Sequence, residues 1–437
     1  MPRMGNVITN IKFAIRPVHI VAQLFGLAPY SFARHPVDNE EDIDISWNSN
    51  YGRVIWSALL LIIQTVGIIY RLAFNFVRPP TSISELLSNV IHLPFIQSTG
   101  VLAVLFALKN RTKMLQIIKR LSSVDTFLFK SNDKVYRKHN LFLVVVLTCC
   151  AVCILPLYFE HHWRSGGRPA EYILVLSHVT WLINDLQYLN LLVILKERLV
   201  SLNDKLRSVF KVDSYNRGEF KIPMQPVSQG ISESISQSEF RLHSVFVRRS
   251  FQISLTPELP FSHNISEIAS EILTFRLNYN ALYEICGLIN SMHGCIILFN
   301  WSVYTVNFII NLYYVTISSF YTSASDKVLT STIVNVTLIL SIILSLIRMS
   351  IIAVFCQWTS DEHQRCLSNV QDLELMYCTE EDILIQLESF SDQLANNKIE
   401  FTACGIFPMN LSVLCTVIGL VLQYLIFLFQ MIGLSEH

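Results

Sequence analysis

Two sets of polar residues stand in stretches that are otherwise apolar, and each suits a different chemistry. In the first, His178, Trp181, Asp185 and Tyr188 follow at steps of three, four and three, the spacing of one helix face. Tyr304, Asn307, Asn311 and Tyr314 do the same farther on. His92 with Gln97, and Thr332 with Asn335, add polar groups to two more apolar stretches. Such a set suits a polyhydroxylated molecule: aromatic rings cover the C–H side of a sugar, while amides and a carboxylate bond its hydroxyls. Taken singly, each residue reads more readily as a hydrogen bond between helices. Taken together they predict a polar cavity in the outer half of a helical bundle. Asp185, a functional candidate by default as a carboxylate inside an apolar segment, lies about halfway along its span or deeper and would be the floor.

The second set is a stripe. Ser412, Thr416, Gly419, Gln423 and Gln430 follow at steps of four, three, four and seven within the apolar run from Asn410 to Leu434. Those steps keep one helix face with little drift. A spanning helix with one polar stripe must turn it away from lipid, toward other helices of its own chain or toward a water-filled path.

The elements that position these residues follow from composition. The chain has 437 residues, 52% hydrophobic and 15% charged, with a mean hydropathy of +0.43. Soluble domains carry about 25% charged residues, so the class is an all-α polytopic membrane protein. Spans are expected at Val54 to Tyr70, Val90 to Leu108, Leu141 to Tyr158, Tyr172 to Leu195, Cys286 to Ile317, Leu329 to Trp358 and Asn410 to Leu434, seven in all. Between the second and third lies a short loop with Lys109, Arg111, Lys113, Lys119, Arg120, Lys130, Lys134, Arg137 and Lys138, opposed only by Asp125 and Asp133. The positive-inside rule places that loop in the cytoplasm. The N-terminus is then inside and the C-terminus outside. Arg348 reads as a residue snorkelling to the inner interface.

Four segments are expected: a cytoplasmic tail over 1–50, six spans over 51–358, an anchor over 359–405 and a last span over 406–437. In the tail, Ile11, Ile15, Val18, Val21 and Phe25 share one helical side, which suits an interfacial helix or one packed on the cytoplasmic part. The fourth span continues as an amphipathic helix through Leu199, Leu202, Leu206 and Val209; residues 211–262, rich in Ser and Pro, read as a disordered linker. Periodicity resumes at Ile265 and runs unbroken into the fifth span. Ile383, Leu387, Phe390 and Leu394 form the apolar face of a further helix. These stretches are expected to pack as a membrane-proximal bundle.

The closing stretch also carries a resemblance. Insect gustatory receptors end on Thr-Tyr, five mostly apolar residues, then Gln-Phe. Here Gln423-Tyr424 is followed by Leu425 to Phe429 and then Gln430-Met431. Tyr424 and Gln430 match; the Thr and Phe positions do not. Glu400-Phe401-Thr402-Ala403-Cys404-Gly405 and Leu27-Ala28-Pro29-Tyr30 are similar to the fructose-receptor branch of that family. The resemblance implies a homotetramer in the plasma membrane, held by a cytoplasmic anchor around one pore. It implies opening by a small-molecule tastant such as fructose and passage of cations. The gate is then expected at Gln430 and Met431, with Gln423, Tyr424 and Thr416 farther down the pore helix.

No Gly-rich phosphate loop, His-Glu-x-x-His or Gly-x-Ser-x-Gly is present, so no catalytic residue is assigned. No metal or cofactor is expected either: His161-His162 is an incomplete site, and Cys149, Cys150 and Cys153 read as packing residues in an apolar helix. The zero net charge excludes a global attraction to nucleic acid. Within the channel reading, an insect odorant receptor and a receptor for bitter tastants are the alternatives. A G-protein-coupled receptor requires the opposite topology. A transporter fits less well because no internal repeat is evident.

Overall fold

Backbone polar groups in a bilayer must bond within their own segment, and the long apolar segments among the described residues meet that demand as helices. The computed structural model describes residues 15–30, 47–77, 93–129, parts of 140–148, 169–210, 265–321 and 328–435. The elements are α1 (15–24), α2 (Trp47–Val77), α3 (Leu93–Lys109), α4 (Arg111–Leu128), α5 (Pro169–Phe210), α6 (Ile265–Tyr321), α7 (Val328–Met376), α8 (Glu381–Asn396), β1 (Thr402–Ala403), β2 (Phe407–Pro408) and α9 (Leu411–Ser435). Tyr51–Phe74, Ile268–Thr316 and Leu338–Met376 are long and apolar enough to cross a bilayer. The pair α3–α4, bent by 62°, makes a fourth if counted as one span. Most of the expected third span, the loop before Pro169 and the linker 211–262 lie outside the described residues.

The long helices run as the periodicity requires. α5 carries its buried side from Leu174 through Leu192, Leu199 and Leu206, and α6 from Ile272 through Tyr279, Leu282 and Ile289. Each buried aliphatic or aromatic side chain contributes about 1.5–3 kcal/mol relative to exposure. α8 buries Ile383, Leu387, Phe390 and Leu394 against α6 and α7, as its pattern predicts.

Two expectations are corrected. The basic stretch after the second span is not a loop over 111–128 but a helix, α4. Met114, Leu115, Ile117, Ile118, Leu121 and Val124 recur at helical spacing and are buried in the packing with α6 and α5. The helix of the expected sixth span does not break after Trp358: α7 passes unbroken to Met376, because Cys366, Val370 and Leu373 extend its buried face.

Polar contacts lock the segments beyond the spans. Arg198 of α5 grips Asp125 of α4 bidentately, Nε to Oδ1 at 3.1 Å and Nη2 to Oδ2 at 2.9 Å, with side chains 3% and 0% exposed. Lys205 donates to the Phe127 carbonyl at 2.7 Å at the end of α4. Tyr279 donates its hydroxyl proton to the Asn397 carbonyl at 2.7 Å. It therefore accepts from His363 Nδ1 at 2.8 Å, and this sets the His363 tautomer. One hydroxyl thus ties α6 to α7 and to the end of α8. The turn between β1 and β2 places Cys404 at φ 55 and Gly405 at φ 73. Asn290 of α6 braces this hairpin, donating to the Glu400 carbonyl at 2.8 Å and accepting from Thr402 N at 3.3 Å. Asn410 then starts α9 by accepting from Val413 N at 3.1 Å.

The N-terminal segment packs on the bundle as a strap. Ile15, Val18, Ala22 and Leu27 are buried, while Ile20 and Leu24 stay exposed. Arg53 of α2 donates to the Tyr30 carbonyl at 2.9 Å and Trp56 to the Leu24 carbonyl at 3.0 Å. Gln23 donates to the Tyr30 carbonyl at 3.1 Å and, through the same nitrogen, to His19 Nε2 at 2.6 Å. Burial, and secondarily the Arg53 charge, lower the His19 pKa to about 4. Between that value and the usual 6.5 the undocked strap binds more protons than the docked one, so docking strengthens with rising pH there. Hydrogen exchange of residues 15–30 is expected to be slow above pH 6.5 and to accelerate progressively toward pH 4, after correction for the intrinsic exchange rate. His19→Gln should flatten that dependence; an unchanged profile in the variant would exclude His19 as its source.

Candidate functional site

The middle of α5 faces α6 and α7, and four of the predicted ligand residues meet there, His178, Trp181, Asp185 and Tyr304. Tyr304 donates its hydroxyl proton to Asp185 Oδ2, and Asn300 Nδ2 donates to Asp185 Oδ1 at 2.8 Å. The Trp181 and Tyr304 rings lie 4.5 Å apart at 32°. His178 stacks one turn above Trp181, with ring centroids 6.1 Å apart. The guanidinium of Arg348 sits 5.7 Å from the Trp181 ring centre. Arg348 therefore reaches the polar cluster, and snorkelling does not describe it. A carboxylate held by two donors and flanked by a cation is stable in a buried site. Trp181 covers it as an apolar plate, with its indole N–H lacking a partner among the described residues.

Other candidates lie elsewhere in the bundle. Asn307 donates to Ser345 of α7 at 3.2 Å. Asn311 donates to Ser341 at 3.3 Å and to Asn307 at 3.1 Å, so this pair joins α6 to α7. Gln97 on α3 is fully buried, with neither amide atom bonded among the described residues. Nearby, α2 and α5 meet through Gln64 and Thr180 at 3.3 Å. Asn335 on α7 also has a buried carbonyl oxygen without a partner among the described residues. Tyr188 points deeper, its hydroxyl 3.5 Å from Cys356 Sγ. Thr332 is at a helical position of α7, its side chain beyond what is described, and His92 lies outside the described residues. Asn300 and Arg348 join Asp185 although spacing along α5 does not single them out. Asn300 carries a signal of its own, standing one turn before Tyr304 on the same face.

The second site is α9. Leu414 and Val421 are buried, and Val413, Val417, Ile418 and Leu425 are half-buried, against α6 and α7. Ser412, Thr416, Gly419, Gln423 and Gln430 are all exposed. At about 100° per residue these five fall within about 40° of one line, and Leu414 and Val421 lie on the opposite side. The stripe thus faces away from the chain's own helices. Tyr424, 45% exposed, stands on the flank between the stripe and the buried face. Met431 lies in the last helical turn, its side chain beyond the described set.

A family model described as 7tm chemosensory receptor matches residues 15–432. The fold is similar to that of the insect olfactory receptor OR5 from Machilis hrabei, with a TM-score of 0.63 at 12% identity over 97% of this chain and 99% of that chain. The same receptor in complex with eugenol aligns with a TM-score of 0.61 at 12% identity over 98% of this chain and 100% of that one. Comparison with curated protein sequences finds no match.

Proposed function

The chain belongs to the 7tm chemosensory receptor family, multi-pass membrane receptors and not enzymes, and from that premise we propose that it is a ligand-gated, non-selective cation channel of the taste-receptor type. The observation that carries the reading is the exposed polar stripe of α9, set opposite the face that packs on α6 and α7. Lipid cannot satisfy such a stripe. Four copies placing it around one axis would enclose it as a neutral, hydrated path in the plasma membrane. Seven spans with the N-terminus inside and the C-terminus outside complete this topology, and the segments beyond 359 form the anchor between subunits.

The ligand is a small polar molecule, a sugar such as fructose, held in the outer half of each subunit. Trp181 and Tyr304 offer ring faces above the Asp185 floor, and Gln97 offers an amide that the described protein groups leave unbonded. Arg348 and Asn300 hold the Asp185 carboxyl in place. The fold shared with the olfactory receptor favours a second reading, a channel opened by volatile compounds.

Whole-cell currents from cells expressing this chain alone, across sugars and volatile compounds, separate these readings. A sugar-evoked, cation-carried current is expected. Trp181→Ala and Asp185→Ala should raise the half-maximal concentration about fivefold to 150-fold, the equivalent of about 1–3 kcal/mol for a lost buried hydrogen bond, with surface levels followed separately. Current evoked only by volatile compounds would replace the sugar reading. Unchanged dose–response curves in both variants would move the ligand elsewhere.

A further inference from the structure

A cavity opens where the strap, the α3–α4 bend, α5 and α6 meet, apart from the Trp181–Asp185 cluster. Arg111 at the bend, Asn184 of α5 and His293 of α6 line it, and no carboxylate does among the described residues. Asn184 and His293 are 4% and 7% exposed. Asn184 Nδ2 and His293 Nδ1 have no hydrogen-bond partner among the described residues. Buried polar groups of native proteins are seldom left unbonded, so two of them on residues that line one cavity point to an occupant. Ile15, Phe106 and Met114 add apolar lining.

We propose that this cavity binds a phosphate monoester. Arg111 supplies the positive charge, and the Asn184 amide and His293 imidazole supply neutral donors from two other elements. Three donors match the three terminal oxygens of a monoester; a carboxylate would leave one of them unmatched. The bend lies among Lys109, Arg111 and Lys113, on the side that the positive-inside rule gives to the cytoplasm. Anionic lipids concentrate on that leaflet, and the apolar part of the lining suits the start of an acyl chain. A soluble phosphate offers the same head.

The site has a route to the pore helix. The turn of α6 that carries His293 also carries Asn290 and Gly294. Asn290 bonds the hairpin before α9, and a Cβ at Gly294 would sit 3.1 Å from Cys404 N. An occupant bonded to His293 therefore holds the helix on which the root of α9 rests.

The test uses the full chain in phosphatidylcholine nanodiscs and follows the thermal unfolding midpoint. Phosphatidic acid, a monoester lipid, is titrated in; parallel arms use phosphatidylglycerol, an anionic diester, and inorganic phosphate. The expected result is a saturable rise with phosphatidic acid that phosphatidylglycerol does not reproduce. Arg111→Gln should move the half-effective amount upward about tenfold, the loss of a charge-assisted bond, and Asn184→Leu should do likewise. A rise with inorganic phosphate identifies a soluble source, and its absence identifies the lipid. Either supports the site. No rise with either phosphatidic acid or inorganic phosphate, an equal rise with phosphatidylglycerol, or a wild-type response in Arg111→Gln overturns it. Arg111→Gln decides the matter alone if Asn184→Leu does not fold.

Discussion

Asp125→Ala is expected to lose about 3–5 kcal/mol of stability, because it leaves the buried Arg198 guanidinium without the partner that takes both its Nε and Nη2 protons. Two other contacts of the guanidinium are weaker, one being exposed and the other made to a ring. Glu197 lies 3.3 Å away but is 36% exposed, and the Phe129 ring sits 5.5 Å from the guanidinium carbon. The loss falls where α4 joins α5, so the yield of folded receptor from membranes should drop sharply and its thermal midpoint with it. The pair itself contributes less than its rupture costs, since both ions had to be desolvated. Asp125→Leu combined with Arg198→Met should therefore recover most of the loss. A single alanine variant within about 1 kcal/mol of wild type would show that the pair is solvated in the working protein.

Gln430→Cys is expected to lose most of its ligand-evoked current when a charged thiol reagent is applied from outside, faster with ligand present. Gln423→Cys, on the same line and about 10 Å farther along the axis, should follow more slowly. Val421→Cys, on the buried side of α9, should stay inert. Cys415 is exposed on this helix and is replaced by alanine in all three backgrounds. The physical ground is the gate proposed for α9. In that proposal four Met431 side chains around an axis would form a dewetting barrier, flexible enough to swing aside, while the amides of Gln430 and Gln423 would replace part of an ion's water. Met431→Ala should accordingly raise ligand-free current. Reaction at Val421→Cys with none at Gln430→Cys would put the stripe away from the ion path.

The sequence alone determined what depends on local periodicity. The joined course of α5 from the fourth span to Phe210, the unbroken α6, the apolar face of α8 and the extent of α9 each follow from apolar residues at three and four, because a helix repeats its facing side every 3.6 residues. The stripe from Ser412 to Gln430 is equally visible in the sequence, which leaves it facing either the chain's own helices or a water-filled path; on the folded chain it is exposed. The same signal is present in α4, at Met114, Ile118 and Leu121, but the lysines and arginines crowded around it are also what a cytoplasmic loop carries. Tertiary structure alone decided the partners. Asp125 meets Arg198 from 73 positions away, and Asp185 meets Asn300 from 115. Arg348 reaches Trp181 rather than the interface, and Asn307 and Asn311 bond the serines of α7. Spacing along one helix states which face is polar. Which face of another helix meets it depends on how the helices pack, and local spacing does not carry that.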